Sequence, residues 1–221
     1  DANWKLVLEN YLECYHCATS HRAYAKLHTF KDLHEKVAPI VEALLERSDE
    51  VTGVPGMSKQ YTKIYRDAEG FGACVHTMRY GLFEGNVTGS RDGQPVAPLM
   101  GKIKDYDGGA GDYQMGPLTF MLNYPDHCVL YRFLPRSLTE TDVELVWFVR
   151  GDAEEGKDYN REDVVWLWDH TTKEDEYIIL RNNAGVNSRF FEPGPYHPEF
   201  EATLQKFVGW YLHHLEEVSH A

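Results

Sequence analysis

The sequence predicts an α+β fold in which two helices precede about six antiparallel strands and two more helices close the chain. At both ends of the chain, apolar residues recur at three- and four-residue steps, which is typical of amphipathic helices. The middle consists of short segments rich in Tyr, Val, Thr and Phe, separated by Gly, Asp, Asn or Pro, which is typical of antiparallel strands. No internal repeat and no linker divides the 221 residues, so we expect one domain, 1–221.

The elements follow in chain order. The helices are expected at Asn3–Cys17, His34–Arg47, Glu162–Asn182 and Pro198–Glu217. The strands are expected at Lys59–Arg66, Gly72–Arg79, Leu82–Ser90, Leu118–Tyr124, Cys128–Leu134 and Glu140–Arg150. The segment Gly101–Gly116 holds five glycines and few apolar residues, so we expect a long loop there, either a gate for substrate or surface decoration.

Composition excludes several classes of function. The formal net charge is −13 and no basic stripe offsets it, so we expect no nucleic-acid partner. No apolar run approaches the roughly 20 residues needed to span a bilayer, so we expect no membrane segment. The four cysteines are too few for a disulfide scaffold, so we expect them to be reduced and the protein to be cytoplasmic. Because the chain begins at Asp1 and enters a helix at once, we expect a piece of a longer protein.

The first helix carries a pair of candidate metal ligands, His16 and His21. Glu13 lies one helical turn before His16, where a carboxylate can accept the ring N–H of a histidine that binds a metal through its other nitrogen. On a continuous helix, the rings of His16 and His21 would point about 140° apart. They can therefore bind one ion only if the helix ends or bulges between them, which Thr19-Ser20 would permit.

Other interpretations of this segment stay open. The chain has 11 histidines, so two at this spacing need not be ligands at all. Cys14 and Cys17 could join a histidine in a zinc site, although structural zinc sites usually place such a cysteine pair on a turn rather than on a helix.

A third candidate ligand is Asp175, in the penultimate helix. It projects to the middle of the predicted buried face, where an unpaired carboxylate costs several kcal/mol and needs a metal, a proton or a basic side chain. That face is formed by Val164, Trp168, Thr171, Ile178, Ile179 and Asn182. Two histidines and one carboxylate form the set that holds non-haem Fe(II) and leaves positions open for O2.

Two runs of residues carry a resemblance to a known family. They are Asn3-Trp4-Lys5, Glu9-Asn10, Glu13-Cys14-Tyr15-His16 and His21 near the start, and Glu174-Asp175, Gly185, Ser188-Arg189-Phe190-Phe191 and Pro193-Gly194-Pro195 near the end. Together they closely resemble the catalytic-domain signature of Rieske-type non-haem iron oxygenases, the ring-hydroxylating oxygenase α-subunit family. The resemblance spans about residues 1 to 215.

The resemblance implies a role for five residues. His16, His21 and Asp175 would bind a mononuclear Fe(II), Glu13 would bridge that iron to a [2Fe–2S] cluster in the neighbouring subunit of a homotrimer, and Asn10 would lie near the iron. The implied fold is the helix-grip or START-like one, an antiparallel sheet wrapped around a long C-terminal helix. The Rieske domain is absent from this chain, and electrons from NAD(P)H would arrive through a separate reductase or ferredoxin.

The E-C-Y-H-C run, Glu13 to Cys17, looks most like the branch of the family that acts on quaternary ammonium compounds such as carnitine and betaine. We therefore expect O2-dependent hydroxylation or oxidative N-demethylation of such a compound, whose ammonium group aromatic faces can hold. One alternative is an aromatic ring or aryl-ether oxygenase, because aromatic pockets also bind flat hydrocarbons. The other is a metal-free helix-grip module that only binds a ligand.

Overall fold

The computed structural model describes residues 1–29, 34–59, 61–63, 75–198 and 201–219. The helices of this part of the chain are α1 (Trp4–Leu12), α2 (Cys17–Ser20), α3 (Arg22–Leu27), α4 (His34–Thr52), α5 (Arg161–Val186) and α6 (Ala202–Ser219). Its strands are β1 (Tyr61–Lys63), β2 (Val75–Gly81), β3 (Gly109–Met115), β4 (Thr119–Asn123), β5 (Cys128–Pro135) and β6 (Thr141–Phe148). The predicted order of helices, strands and helices is confirmed. The strand segments predicted at 59–66 and 72–79 lie partly outside the described residues.

The strands form one sheet in which every strand pairs antiparallel with the next along the chain. Side chains alternate between its two faces, and the inner face packs against α1 and α5. The Tyr11 ring of α1 lies 4.3 Å from the Phe120 ring of β4. In α5, Trp168 Nε1 donates to the hydroxyl of Tyr124, next to β4, at 3.2 Å. The α+β class with an antiparallel sheet is therefore confirmed, while the helix-grip name stays a prediction.

The first helix is shorter than its periodicity predicts. Helix α1 begins at the N-cap Asn3, whose side chain accepts a hydrogen bond from the Lys5 amide at 3.0 Å. It ends at Leu12 because Glu13 takes an extended conformation and its carboxylate accepts from the Tyr15 amide at 3.1 Å. This break separates the apolar stripe of α1 from the residues after Glu13.

The glycine-rich segment contains a strand, so the prediction of a loop over Gly101–Gly116 is wrong for its second half. Strand β3 lies between β2 and β4, and side chains of β2 and of β3 itself occupy the space beside two of its glycines. A Cβ at Gly109 would lie 2.5 Å from Arg79 Nη2, and one at Gly111 would lie 2.7 Å from Tyr113 Cε2. These glycines permit close packing rather than a flexible connection.

The strand predicted at Leu82–Ser90 is also wrong. Leu82 forms one isolated bridge with His28, and turns follow it. The amide of Asn86 bonds to the Phe83 carbonyl at 3.1 Å, and the Thr88 hydroxyl donates to Asp126 at 2.5 Å. The polar groups of this segment therefore bond within turns and to a neighbouring loop rather than to an adjacent strand.

Cys14 and Cys17 form a disulfide, so the prediction that they are reduced is wrong for this pair. The break after Leu12 brings the two sulfurs together. Cys128 is a free thiol, and Cys74 lies outside the described residues. A cytoplasmic location stays a prediction, and this cysteine pair does not support it. Within the described ranges, no helix combines the length and the apolar character needed to cross a bilayer.

Candidate metal centre

Three donor atoms, two from the start of the chain and one from α5, lie close together. His16 Nε2 lies 3.1 Å from His21 Nε2 and 3.2 Å from Asp175 Oδ1, and His21 Nε2 lies 2.9 Å from the same carboxylate oxygen. The structure thus brings together the three candidate ligands that the sequence singled out, although Asp175 follows His16 by 159 residues.

The two imidazoles face each other because His16 and His21 lie at opposite ends of the short helix α2. His16 is the N-cap of the four-residue helix α2, and His21 follows its last residue with φ −117° and ψ 77°. The chain therefore leaves the helical path between the two rings, as the ligand hypothesis required. Asp175 lies on the buried face of α5, one turn after the buried Thr171 and one turn before the buried Ile179.

The other nitrogen of each imidazole faces a carboxylate. His16 Nδ1 donates to Glu13 Oε1, and His21 Nδ1 donates to Glu174 Oε2 at 2.9 Å. With the protons on Nδ1, both Nε2 lone pairs are free to bind a cation at the centre of the cluster. Glu13 was expected beside His16. The contact of Glu174 with His21 was not predicted from the sequence.

Electrostatics in the cluster favour a cation. Burial lowers the pKa of His16, but hydrogen bonds to Asp175 and Glu13 outweigh burial and raise that pKa to about 9. In His21, burial likewise lowers the pKa, yet its contacts with Asp175 and Glu174 raise it. Burial raises the pKa of Asp175, and the two imidazoles more than reverse this effect and hold it below its usual value. Three carboxylates around two imidazoles therefore attract positive charge, whether protons or a metal ion.

The spacing of the donors fits an octahedral metal ion, of which Fe(II) is one. Adjacent ligands of an octahedral ion bound at about 2.1 Å lie about 3.0 Å apart, whereas a tetrahedral ion would separate them by about 3.4 Å. The three separations here are 2.9, 3.1 and 3.2 Å. Two imidazoles and a carboxylate on one octahedral face are the ligand set of non-haem Fe(II).

The zinc site with cysteine and histidine ligands that the sequence left open does not form. Cys17 Sγ lies 3.9 Å from His16 Nε2, close enough to belong to the cluster. However, its bond to Cys14 removes the thiolate that such a cysteine-containing site would require. Asn10, expected near the iron, has its Nδ2 3.5 Å from His16 Nε2.

Two cavities adjoin the centre, and Asn10, Tyr11 and Asp175 line both. The larger, of 440 Å³, lies between β5, β6, α1 and α5. The smaller, of 60 Å³, lies on the inner side of the sheet, and His16 and His21 are part of its wall. A small molecule in the smaller cavity would touch the ligand cluster directly.

Fold and site together define a catalytic domain of the ring-hydroxylating oxygenases. Residues 1–217 match the family described as "Ring hydroxylating alpha subunit (catalytic domain)". The chain belongs to this family, the α subunits of Rieske-type non-haem iron oxygenases.

Two curated relatives and one solved structure are similar to the chain. The chain is 34% identical over 216 residues to the glycine betaine monooxygenase oxygenase subunit of Chromohalobacter salexigens, covering 95% of this chain and 46% of that protein. It is 33% identical to the subunit of the same name from Pseudomonas aeruginosa, covering 95% of this chain and 48% of that protein. The chain thus spans about half the length of these curated relatives. A crystal structure of the quaternary ammonium Rieske monooxygenase CntA with an inhibitor aligns at 14% identity and a TM-score of 0.49, covering 85% of this chain and 37% of that chain.

Proposed function

We propose that this chain is the catalytic domain of an O2-dependent oxygenase that hydroxylates or oxidatively N-demethylates a quaternary ammonium compound. The observation that carries the proposal is the convergence of His16 Nε2, His21 Nε2 and Asp175 Oδ1 within 3.2 Å of one another. These three atoms would hold one Fe(II), which supplies the activation of O2 for attack on a C–H bond.

The protein groups around the ligands prepare this chemistry. Glu13 and Glu174 keep the Nδ1 protons in place, so each imidazole presents a lone pair and a fixed ring orientation. Three protein ligands on one face leave the opposite positions to small molecules. Asn10, whose amide lies beside His16, is placed to contact a molecule bound there.

Glu13 has the position required of an electron-transfer bridge. It contacts His16 on the side away from the other ligands, and its second oxygen bonds to the amide of Tyr15, whose side chain is half exposed. We infer that it connects the iron to a [2Fe–2S] cluster that a Rieske domain of a neighbouring subunit provides in a homotrimer. A reductase or ferredoxin would supply that cluster with electrons from NAD(P)H.

The substrate class rests on the relatives and on charge. Two relatives at 33–34% identity are named for glycine betaine. The site itself is rich in carboxylates and aromatic rings, which together favour an ammonium group over a neutral aromatic ring. Hydroxylation of one N-methyl group consumes O2, two electrons and two protons and releases water. The N–CH2OH product then yields formaldehyde and the demethylated amine.

The full-length protein with its reductase tests this proposal. We expect glycine betaine, but not benzoate or an aryl methyl ether, to stimulate O2 uptake, with about one formaldehyde released per O2 consumed. The His16→Ala variant, prepared in parallel, should show neither. O2 uptake driven by the aromatic compounds alone would favour a ring or aryl-ether oxygenase and contradict the proposal.

A further inference from the structure

The small cavity beside the metal ligands has one anionic wall and several aromatic ones. Its volume is 60 Å³, enough for about four water molecules, which is close to the size of a trimethylammonium head. The buried rings of Tyr24, Tyr80 and Trp168 line it, together with Tyr11. Besides Glu13 and Asp175 of the ligand cluster, Asp112 of β3 supplies a carboxylate to its lining.

Asp112 is unusual because it lacks a cationic partner among the described residues. Its hydrogen-bond partner is the Tyr11 hydroxyl at 3.5 Å, and no Lys, Arg or His in the described ranges pairs with it. Burial raises the pKa of Asp112 to about 7. The partly accessible surface of this side chain therefore faces the cavity rather than bulk water. A carboxylate in such a position requires either a proton or a cation from a ligand.

The sheet fixes the position of this carboxylate. Asp112 pairs with Met78 of β2 on one side and with Leu122 of β4 on the other, in the middle of the sheet. Its neighbours on the same face of β3, Ala110 and Gln114, are fully buried. A charged side chain at the centre of a buried sheet face destabilises the fold, which is a reason to look for a function.

We propose that Asp112 and the rings around it bind the quaternary ammonium head of the substrate. The inference rests on the proposed function and specifies where the head binds. The carboxylate attracts the cation at short range, and the rings of Tyr24, Tyr80 and Trp168, which line the same cavity, add cation–π attraction. Because His16 is part of the same wall, a head bound here places its methyl groups beside the metal.

The larger cavity is less suited to the head. Its carboxylates include Asp169, which is already paired with Lys173 at 2.7 Å. That pair is exposed, so water and salt weaken its field. Its other carboxylates are those of Asp1 and Glu176, which are exposed, and that of Asp175, which belongs to the ligand cluster. A cation therefore gains more from Asp112, which is less exposed and lacks a basic partner among the described residues.

Proton binding at Asp112 should compete with the ligand. With a pKa of about 7, the carboxyl is mostly protonated below neutral pH, and a cationic ligand must displace that proton. The affinity for the cation should therefore rise with pH, by up to about tenfold per unit below pH 7, and level off above it. The other titratable groups on this cavity are Tyr11, Tyr24, Tyr80, Glu13, His16, His21 and Asp175.

The test compares two probes of the same shape. Glycine betaine and 3,3-dimethylbutanoate differ only in the charge of the head, because a carbon replaces the nitrogen. Their affinities are measured by calorimetry without O2, on the iron-loaded full-length protein. In the Asp112→Asn variant, we expect the affinity for glycine betaine to fall by about 30-fold or more and that for 3,3-dimethylbutanoate to stay the same or rise.

Controls separate the loss of the Asp112 charge from a loss of folding or of the cavity. Unchanged iron content and retained binding of 3,3-dimethylbutanoate would show that Asp112→Asn folds and keeps its cavity. Loss of glycine betaine affinity in Asp169→Asn, with Asp112→Asn unaffected, would place the head in the larger cavity and overturn the inference. If Asp112→Asn does not fold, the wild type still provides a test. Equal pH dependence for the two probes between pH 5.5 and 7 would also overturn it.

A result that disproves the role of Asp112 can be distinguished from one that disproves the proposed function. A wild-type enzyme that demethylates glycine betaine while Asp112→Asn binds it equally well would disprove the role of Asp112 alone. A wild-type enzyme that contains iron but oxidises no quaternary ammonium compound would disprove the proposed substrate class.

Discussion

The described part of the chain contains two buried clusters of carboxylate and imidazole, and one of these two has the geometry of a metal site. The first comprises His16, His21 and Asp175 with their supporting glutamates. The second is the pair Asp126 and His127, in the turn between β4 and β5, with His127 Nδ1 donating to Asp126 Oδ1 at 2.8 Å. Both place a carboxylate against Nδ1 of a histidine, so pairing alone does not distinguish them.

The second cluster holds loops together. Asp126 accepts from the Thr88 hydroxyl at 2.5 Å and from the Val96 amide at 3.0 Å, which ties the segment before β3 to the turn. Burial raises the pKa of Asp126, but the hydrogen bonds from His127, Thr88 and Val96 outweigh it and lower that pKa. His127 stacks on the Tyr124 ring at 4.8 Å, and its buried Nε2 has no hydrogen-bond partner among the described residues.

The difference lies in where the second nitrogen points. In the first cluster each Nε2 faces two other donor atoms and a cavity, so a cation can bind between them. In the second, protein atoms cover Nε2, and no other donor from the described part of the chain bonds to it. A carboxylate–histidine pair becomes a metal site only when free lone pairs from several residues converge.

The largest expected effect is on iron binding. His21→Ala should abolish stoichiometric iron, because the remaining two donors cannot form a three-atom face. His127→Ala should keep about one iron per chain, provided that it folds. Elemental analysis of both purified variants measures this. A His21→Ala protein that still holds one iron per chain would count against the ligand assignment.

The next effect is on stability. Asp126→Ala should lower the free energy of unfolding by about 3 kcal/mol, because the Thr88 hydroxyl, the Val96 amide and His127 all lose a buried acceptor. Iron content of the folded fraction should not change. Urea denaturation of the variant beside wild type gives the difference. A surface control is Asp142→Asn, whose exposed pair with Arg136 should be worth less than about 1 kcal/mol.

The smallest effect is expected on metal affinity, when the carboxylate that accepts from His21 Nδ1 is replaced. Glu174→Gln should weaken metal affinity by about 10- to 100-fold while full occupancy is still reached at high metal concentration. Glu176→Gln, at an exposed position two residues further along α5, should leave the affinity unchanged. Competition with a chelator measures both. Equal affinities in the two variants would show that Glu174 does not support His21.

Local pattern was sufficient for the long helices α4, α5 and α6 and for singling out the three candidate ligands. The apolar period of α5 placed Asp175 on the buried face, and the three-residue step between Glu13 and His16 anticipated their contact. The first inference depends on helical geometry, which sequence spacing controls. The contact between Glu13 and His16 instead forms after α1 has ended, because Glu13 is extended.

Other features could be recognised only in the folded structure. Strand β3 was taken for a loop because Gly109 and Gly111 carry no strand propensity; the reason for them is the close approach of Arg79 and Tyr113. The contact between Glu174 and His21 joins residues 153 positions apart.

The sequence by itself determined which residues could donate to a metal and which helical faces they occupy, because side-chain chemistry and helical period are local. The tertiary structure alone decided which donors converge, that Cys14 and Cys17 join, and that Asp112 faces a cavity instead of a basic side chain. These outcomes depend on packing between elements far apart in the chain, and no short-range pattern encodes such distances.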